Sequence, residues 1–141
     1  VIEVVADASV ALKWFHREGE DELEAARELI ERHRRRAIAV SILDLTVYEV
    51  GNALVRGVGV APDGVATVLG ALIEICPRIA LTAAEVADAV ALAARHDLTV
   101  YDAAYAAAAR ARGAELVTTD RELLRAGLGL RPSELLEQLG S

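Results

Sequence analysis

Short apolar segments that end at an acid or a hydroxyl alternate along this chain with amphipathic stretches of roughly ten to fifteen residues. Strands separated by helices pair in parallel and need cover on both faces, so this alternation constrains the fold more than any other feature. The opening "VIEVVADASV" is apolar on both sides over about residues 2 to 6, which predicts a buried strand with Asp7 where it ends. "AIAVS" and "AELVTT" are further strand candidates. Within "IEICPRIAL" a short strand is confined to an edge or broken, because Pro77 has no N–H to give to a ladder. "LGL", residues 128 to 130, is a thin candidate for a last strand.

The intervening stretches read as helices. "ALKWFHREG" continues from the first strand as a helical turn or short helix. "EDELEAARELIERH" is amphipathic, with Leu23, Ala26, Leu29 and Ile30 on its apolar side. Ser41 is the expected cap of "ILDLTVYEVGNALVRG", with Asp44 three residues on in the manner of a capping box. Pro62 opens "PDGVATVLGALIEI", and Thr82 and Glu85 bracket the start of "TAAEVADAVALAARH". "LTVYDAAYAAAARARG" is an alanine-rich buried helix with Asp102 in its first turn; "DRELLRAG" and "PSELLEQLG" complete the series. The expected fold class is α/β, a three-layer α/β/α sandwich around a mostly parallel sheet, in one domain over residues 1 to 141.

Composition narrows the setting. The single Cys76 cannot form an internal disulfide, and the first residues lack the basic, apolar and small-residue pattern of a signal peptide. A cytoplasmic location is expected. Although 54% of residues are hydrophobic, charged or turn residues interrupt each run before it reaches the length of a membrane span, so no membrane contact is expected. A net charge of -7 argues against a broad basic nucleic-acid surface, but carboxylates gathered around divalent cations would account for part of that charge. Fourteen of the 15 basic residues are arginine, which suits bidentate phosphate contacts and equally reflects a genomic composition bias. "ERHRRR", residues 31 to 36, complements a helix dipole at a solvated C-terminus, or contacts an RNA backbone.

Four carboxylates stand out. Asp7 and Asp120 follow strands, Asp102 lies in the first turn of a helix, and Glu49 is embedded in an otherwise apolar helix face. In an open parallel sheet, ligands collect beyond the carboxyl ends of the strands, where the first three would lie. Glu49 joins them if its helix leans across the sheet edge, and Asn52, on the same helical face, would orient it or a bound water. Each acid also has a local explanation: Asp7 and Asp120 as N-caps, Asp102 as the partner of Thr99 in a capping box, Glu49 as a solvated side chain. Taken together they favour a divalent cation, because an uncompensated carboxylate on an apolar face is costly. Oxygen-only donors suit Mg²⁺ or Mn²⁺ rather than zinc.

The rest of the inventory leaves little competing chemistry. His16, His33 and His96 show no ligand spacing and read as surface histidines; there is no G-x-S-x-G elbow and no Walker lysine. Cys76, beside Pro77 and without a basic partner, reads as a small buried residue. A dehalogenase-type phosphotransferase would need D-x-D where this chain has Asp7-Ala8-Ser9, and a receiver domain would need an early acidic pair and a late lysine, whereas Lys13 is the only lysine.

The blocks "VVADASVALKWF", "YEVGNAL" and "LTVYDAAYAAAARARGAELVTTDRELLRA" resemble, in order, those of a PIN-domain ribonuclease of the VapC toxin type, from residue 4 to about 126. The resemblance implies an α/β/α sandwich, commonly homodimeric, with endoribonuclease activity that leaves a 5′-phosphate and a 3′-hydroxyl. It assigns Asp7, Glu49, Asp102 and Asp120 as catalytic acids that hold Mg²⁺ or Mn²⁺, with Ser9, Asn52 and Thr118 in support. It also implies an RNA substrate and a cognate antitoxin partner. One departure is that Arg121 follows Asp120 and the next acid is Glu122, which leaves the ligation of a second metal open. Lys13 is read as a surface residue in preference to a phosphate contact, Trp14 and Phe15 as core or interface anchors, and Tyr101 and Tyr105 as neighbours packed beneath the site. The alternative is a catalytically inactive PIN-like RNA- or protein-binding module.

Overall fold

The computed structural model describes residues 1–17 and 21–140. Glu18, Gly19 and Glu20, which fall at the junction of two expected helical stretches, and Ser141 lie outside the described residues. In chain order the elements are β1 (Ile2–Ala6), α1 (Ala8–Phe15), α2 (Leu23–Arg34), β2 (Ile38–Leu43), α3 (Asp44–Asn52), a π-helical segment (Ala53–Val58), α4 (Pro62–Ile75), β3 (Arg78–Ile79), α5 (Ala83–His96), α6 (Val100–Arg112), β4 (Glu115–Val117), α7 (Arg121–Arg125) and α8 (Pro132–Leu139).

Among the described residues the sheet runs β3-β2-β1-β4, and every pairing is parallel. The chain steps outward from β1 to β2 and β3, then returns to place β4 on the opposite side of β1. The strand order therefore reverses between β1 and β4, and in open α/β sheets ligands bind at such a reversal, beyond the carboxyl ends of the strands. Val4, Val5 and Ala6 are all buried, as expected of a central parallel strand. Val4 and Ala6 join a cluster with α1, α2, α3, α4 and α8, whereas Val5 faces the other way, against α5, α6 and Leu123 of α7. Helices thus cover both faces of the sheet, giving the expected α/β/α layering.

Local chemistry accounts for the boundaries. Pro77 precedes the edge strand β3 and still contributes its carbonyl, which accepts from Ile42 N at 3.0 Å. Thr82 and Glu85 form the expected reciprocal box at the start of α5. The alanines of α6 bury Ala103, Ala106, Ala107, Ala108 and Ala109, small enough for α5 and α6 to lie close, and Arg112 of α6 pairs with Glu85 of α5. Trp14 donates its indole N–H to Ala26 O at 2.9 Å and so ties α1 to α2, an anchoring role as expected.

Several expectations need correction. Ser41 is not a helix cap: it lies in β2, paired with Val5, and α3 starts after Leu43, whose N–H is taken by the Thr46 hydroxyl at 3.0 Å. Strand pairing with β1 holds the backbone extended past Ser41. Lys13 is buried in α1, not at the surface. His33 is no lone surface histidine: Val40 N donates to its Nδ1 at 2.9 Å, so the neutral ring offers Nε2–H to Ile75 O at 2.8 Å and joins α2, β2 and α4. The "LGL" stretch forms one parallel bridge, Val117 to Leu130, and Gly129 lets the chain pass close beside β4: a Cβ there would stand 2.8 Å from Thr118 Cγ2.

Candidate active site

Asp7 follows β1 directly, and the Thr118–Asp120 turn follows β4, so both stand at the point where strand order reverses. Asp7 is buried, and each oxygen is held: Oδ1 accepts from Ser9 Oγ at 2.6 Å and Val10 N at 3.2 Å, and Oδ2 accepts from the Thr118 hydroxyl. Thr118 and Ser9 are in turn fixed by the turn they support, since Asp120 N donates to Thr118 Oγ1 and Thr119 N to Ser9 Oγ, both at 2.9 Å. These bonds explain why small hydroxyl residues occupy positions 9 and 118. The capping roles considered from the sequence are also present: Asp7 caps α1, and Asp120 caps α7 through Glu122 N at 2.8 Å and Leu123 N at 3.4 Å.

Glu49 and Asp102 come from facing helices joined by Tyr105. The buried Tyr105 hydroxyl donates to Glu49 Oε1 at 2.6 Å and lies 2.8 Å from Thr46 Oγ1. Thr46 lies one turn before Glu49, and Tyr105 one turn after Asp102, so this one phenol ties the first turn of α3 to the second turn of α6. Asp102 itself is half-buried, its N–H accepted by Thr99 Oγ1 at 3.1 Å. Tyr101, expected to pack beneath the site with Tyr105, is instead 64% exposed in the first turn of α6. Asn52 is exposed at the end of α3, with no side-chain hydrogen bond to Glu49.

Electrostatics link the four acids. Burial pushes the Asp7 carboxyl up to about 6 despite its hydrogen bonds, and the charge of Asp120 adds to the rise. Glu49 is raised first by burial, then by Asp102 and Asp120, against the opposing bond from Tyr105. Asp102 is raised by burial and by the charges of Asp120 and Glu122. Asp120 thus repels the other three. Tyr105 is held well above its ordinary value by burial and by Glu49, so it remains a donor. Cys76, buried away from this site, is pushed up to about 12 and is chemically quiet.

Partly desolvated carboxylates that offer oxygen donors alone form a donor set whose chemistry fits Mg²⁺ or Mn²⁺. Among the described residues, however, no group of three or more His, Cys, Asp or Glu side chains is drawn close enough to hold a metal ion. Both oxygens of Asp7 and one each of Glu49 and Asp120 are engaged by protein donors.

The PIN domain model matches residues 4–128, from within β1 to just past α7, and includes all four acids. The chain belongs to the PIN-domain family. It is 41% identical over 106 residues to ribonuclease VapC3 of Pyrobaculum aerophilum, covering 71% of this chain and 80% of that protein. The crystal structure of PAE2754 from the same organism superposes with a TM-score of 0.71 at 29% identity, over 98% of this chain and 96% of the other. A toxin-antitoxin complex from Klebsiella pneumoniae shares the fold, with a TM-score of 0.65 at 17% identity over 92% and 97% of the two chains. The PIN domain seen here is thus homologous to VapC-type toxin-antitoxin ribonucleases. Among the described residues, no helix is long and apolar enough to cross a membrane.

Sequence reasoning missed Thr46 and the close approach of Gly129 to Thr118. Thr46 had a legible signal, a hydroxyl one turn ahead of Glu49, but its partner lies 59 residues away on α6.

Proposed function

We propose that this PIN domain is a divalent-metal-dependent endoribonuclease that hydrolyses RNA phosphodiester bonds and acts as the toxin of a toxin-antitoxin pair, as a single unit over residues 1 to 141. The observation that carries the reading is that Asp7, Glu49 and Asp102 all feel the charge of Asp120 at the reversal of strand order, within a family match that includes all four. These four residues would hold Mg²⁺ or Mn²⁺. When bound, such a cation supplies charge neutralisation and Lewis acidity at the phosphodiester.

The chain's own residues prepare that site. Ser9, Val10 and Thr118 hold Asp7 in one orientation, so its charge is aimed before substrate arrives. Tyr105 fixes Glu49 and excludes water from beneath it. Asp120 brings its charge to the cluster while its backbone N–H ties the turn to Thr118. Asn52, exposed beyond Glu49, is available to the substrate or its waters. A cognate antitoxin belongs to the same proposal, supported by the fold shared with the toxin-antitoxin complex from Klebsiella pneumoniae, and a homodimeric assembly is proposed with it.

The spacing of the acids favours one second reading, a PIN-like module that binds RNA or protein without cleaving it. Cleavage of a mixed cellular RNA pool by wild type and Asp7→Asn, with Mg²⁺, with Mn²⁺ and with EDTA, separates the two. Divalent-dependent products from wild type alone support the nuclease. Folded wild-type protein that cuts nothing with either metal sinks it.

A further inference from the structure

Four carboxylates repel the polyanion that the proposed function requires, in a chain whose net charge is already -7. Something must hold the RNA backbone against that repulsion. We propose that the surface cleft lined by Arg121, Leu124, Arg125, Gly129, Arg131 and Glu134 is a phosphate subsite for RNA, next to the catalytic acids, with Arg121 as its principal cation. This inference rests on the nuclease reading and adds the means by which the substrate is placed.

The cleft has a volume of about 370 Å³, and half of its lining residues are arginines. Arg121 is exposed and has no ion pair or hydrogen bond among the described residues, so its five donors are available for a bidentate contact. The other two are each steadied by one acid. Arg125 Nε and Nη2 reach the two oxygens of Glu122 at 3.1 and 3.2 Å, and Arg131 Nη1 lies 3.5 Å from Glu134 Oε1. Each keeps further N–H groups for a phosphate oxygen.

Three connections join this cleft to the acid cluster. Arg121 is the next residue after Asp120. Glu122, held by Arg125, is close enough to act electrostatically on Asp102. Gly129 packs against Thr118, whose hydroxyl holds Asp7. The floor of the cleft is therefore separated from the buried catalytic carboxylate by one side chain. A strand of RNA crossing the cluster meets the arginines with a phosphate that flanks the cleaved one.

The test uses the Arg121→Gln, Arg131→Gln double variant and a labelled single-stranded RNA. In Mg²⁺, KM should rise about tenfold while kcat stays within about twofold, as expected when substrate positioning alone is weakened. In EDTA, where nothing is cut, anisotropy across a salt series should give a binding slope shallower by about 1.4, or about 0.7 for each phosphate that no longer meets an arginine. KM and slope equal to wild type would overturn the proposal. So would unchanged RNA binding with abolished binding of poly-glutamate, which would make the cleft a docking surface for an acidic protein. A wild type that does not cleave, paired with a variant that loses salt-sensitive binding in EDTA, would sink the nuclease reading and support the cleft.

Discussion

Replacing Asp7 by asparagine should stabilise the metal-free protein at pH 8 and, once the charge no longer matters at pH 4, destabilise it by up to about 1 kcal/mol. Burial raises the folded-state value of this carboxyl from 3.8 to about 6, so the charged form is disfavoured by about two pH units, or about 3 kcal/mol at roughly 1.4 kcal/mol each. Below about pH 4 the acid is protonated in the folded and unfolded chains alike, and the full stability is present. Between about pH 4 and 6 the unfolded chain gives up its proton while the folded chain retains it, and the wild type loses that stability. Asparagine never carries the charge. Its Oδ1 can still accept from Ser9 and Val10, but its amide N–H cannot accept from the Thr118 hydroxyl, a loss of about 1 kcal/mol. The expected net gain at pH 8 is therefore about 2 kcal/mol, read as a higher urea midpoint with EDTA present. A variant less stable than wild type by about 0.5 to 2 kcal/mol at both pH values would refute this reasoning, because that is the signature of a helix cap alone.

Four further outcomes follow from the same geometry. Adding Mg²⁺ should raise the thermal midpoint of wild type in a concentration-dependent way and leave Asp7→Asn nearly unmoved; equal responses would count against the four-acid site. Tyr105→Phe keeps the ring but removes the bonds to Glu49 and Thr46, so it should cost about 1 kcal/mol in urea and lower kcat for RNA at least several-fold, with full activity arguing that Glu49 needs no support. Gly129→Ala puts a methyl 2.8 Å from Thr118 Cγ2 and 3.2 Å from Leu116 O, and should destabilise the fold by about 1–3 kcal/mol; an unchanged midpoint would mean the segment moves aside freely. His33→Ala leaves Val40 N and Ile75 O without their bridge, for a loss of about 1–3 kcal/mol by chemical denaturation, and activity per folded molecule should not change.

What could be read ahead of the structure was what local pattern controls. The apolar character of residues 2 to 6 on both sides announced a central strand, and Pro77 announced an edge. Thr82 and Glu85 marked a helix start because both halves of their capping box lie within four residues. Ser41 misled because a serine before an apolar periodic stretch looks the same whether it caps a helix or pairs in a strand; its partner in β1 decides, and that partner is remote. His33 misled for a similar reason, since Val40 is seven residues away but Ile75 is 42 away. Within the site, the hydroxyl positions 9 and 118 stood out only through resemblance, and their bonds with Asp7 give them a physical basis. The Tyr105 link between Glu49 and Asp102 depends on how α3 meets α6, which no spacing within either helix expresses.

The bond from Thr118 to Asp7 spans 111 residues, and it has a consequence for synthesis. A ribosome makes β1 first, and β2 can pair with it as soon as residues 38–43 emerge. The other side of β1 stays open until residues 115–117 arrive, and Asp7 has no Thr118 until then. Asp102 and Asp120 also come late, so the acid cluster is assembled from the two ends of the coding order. A nascent chain interrupted before β4 carries an unpaired strand edge and an Asp7 that lacks its Thr118 partner. It is exposed to aggregation, but it lacks the constellation proposed for cutting RNA.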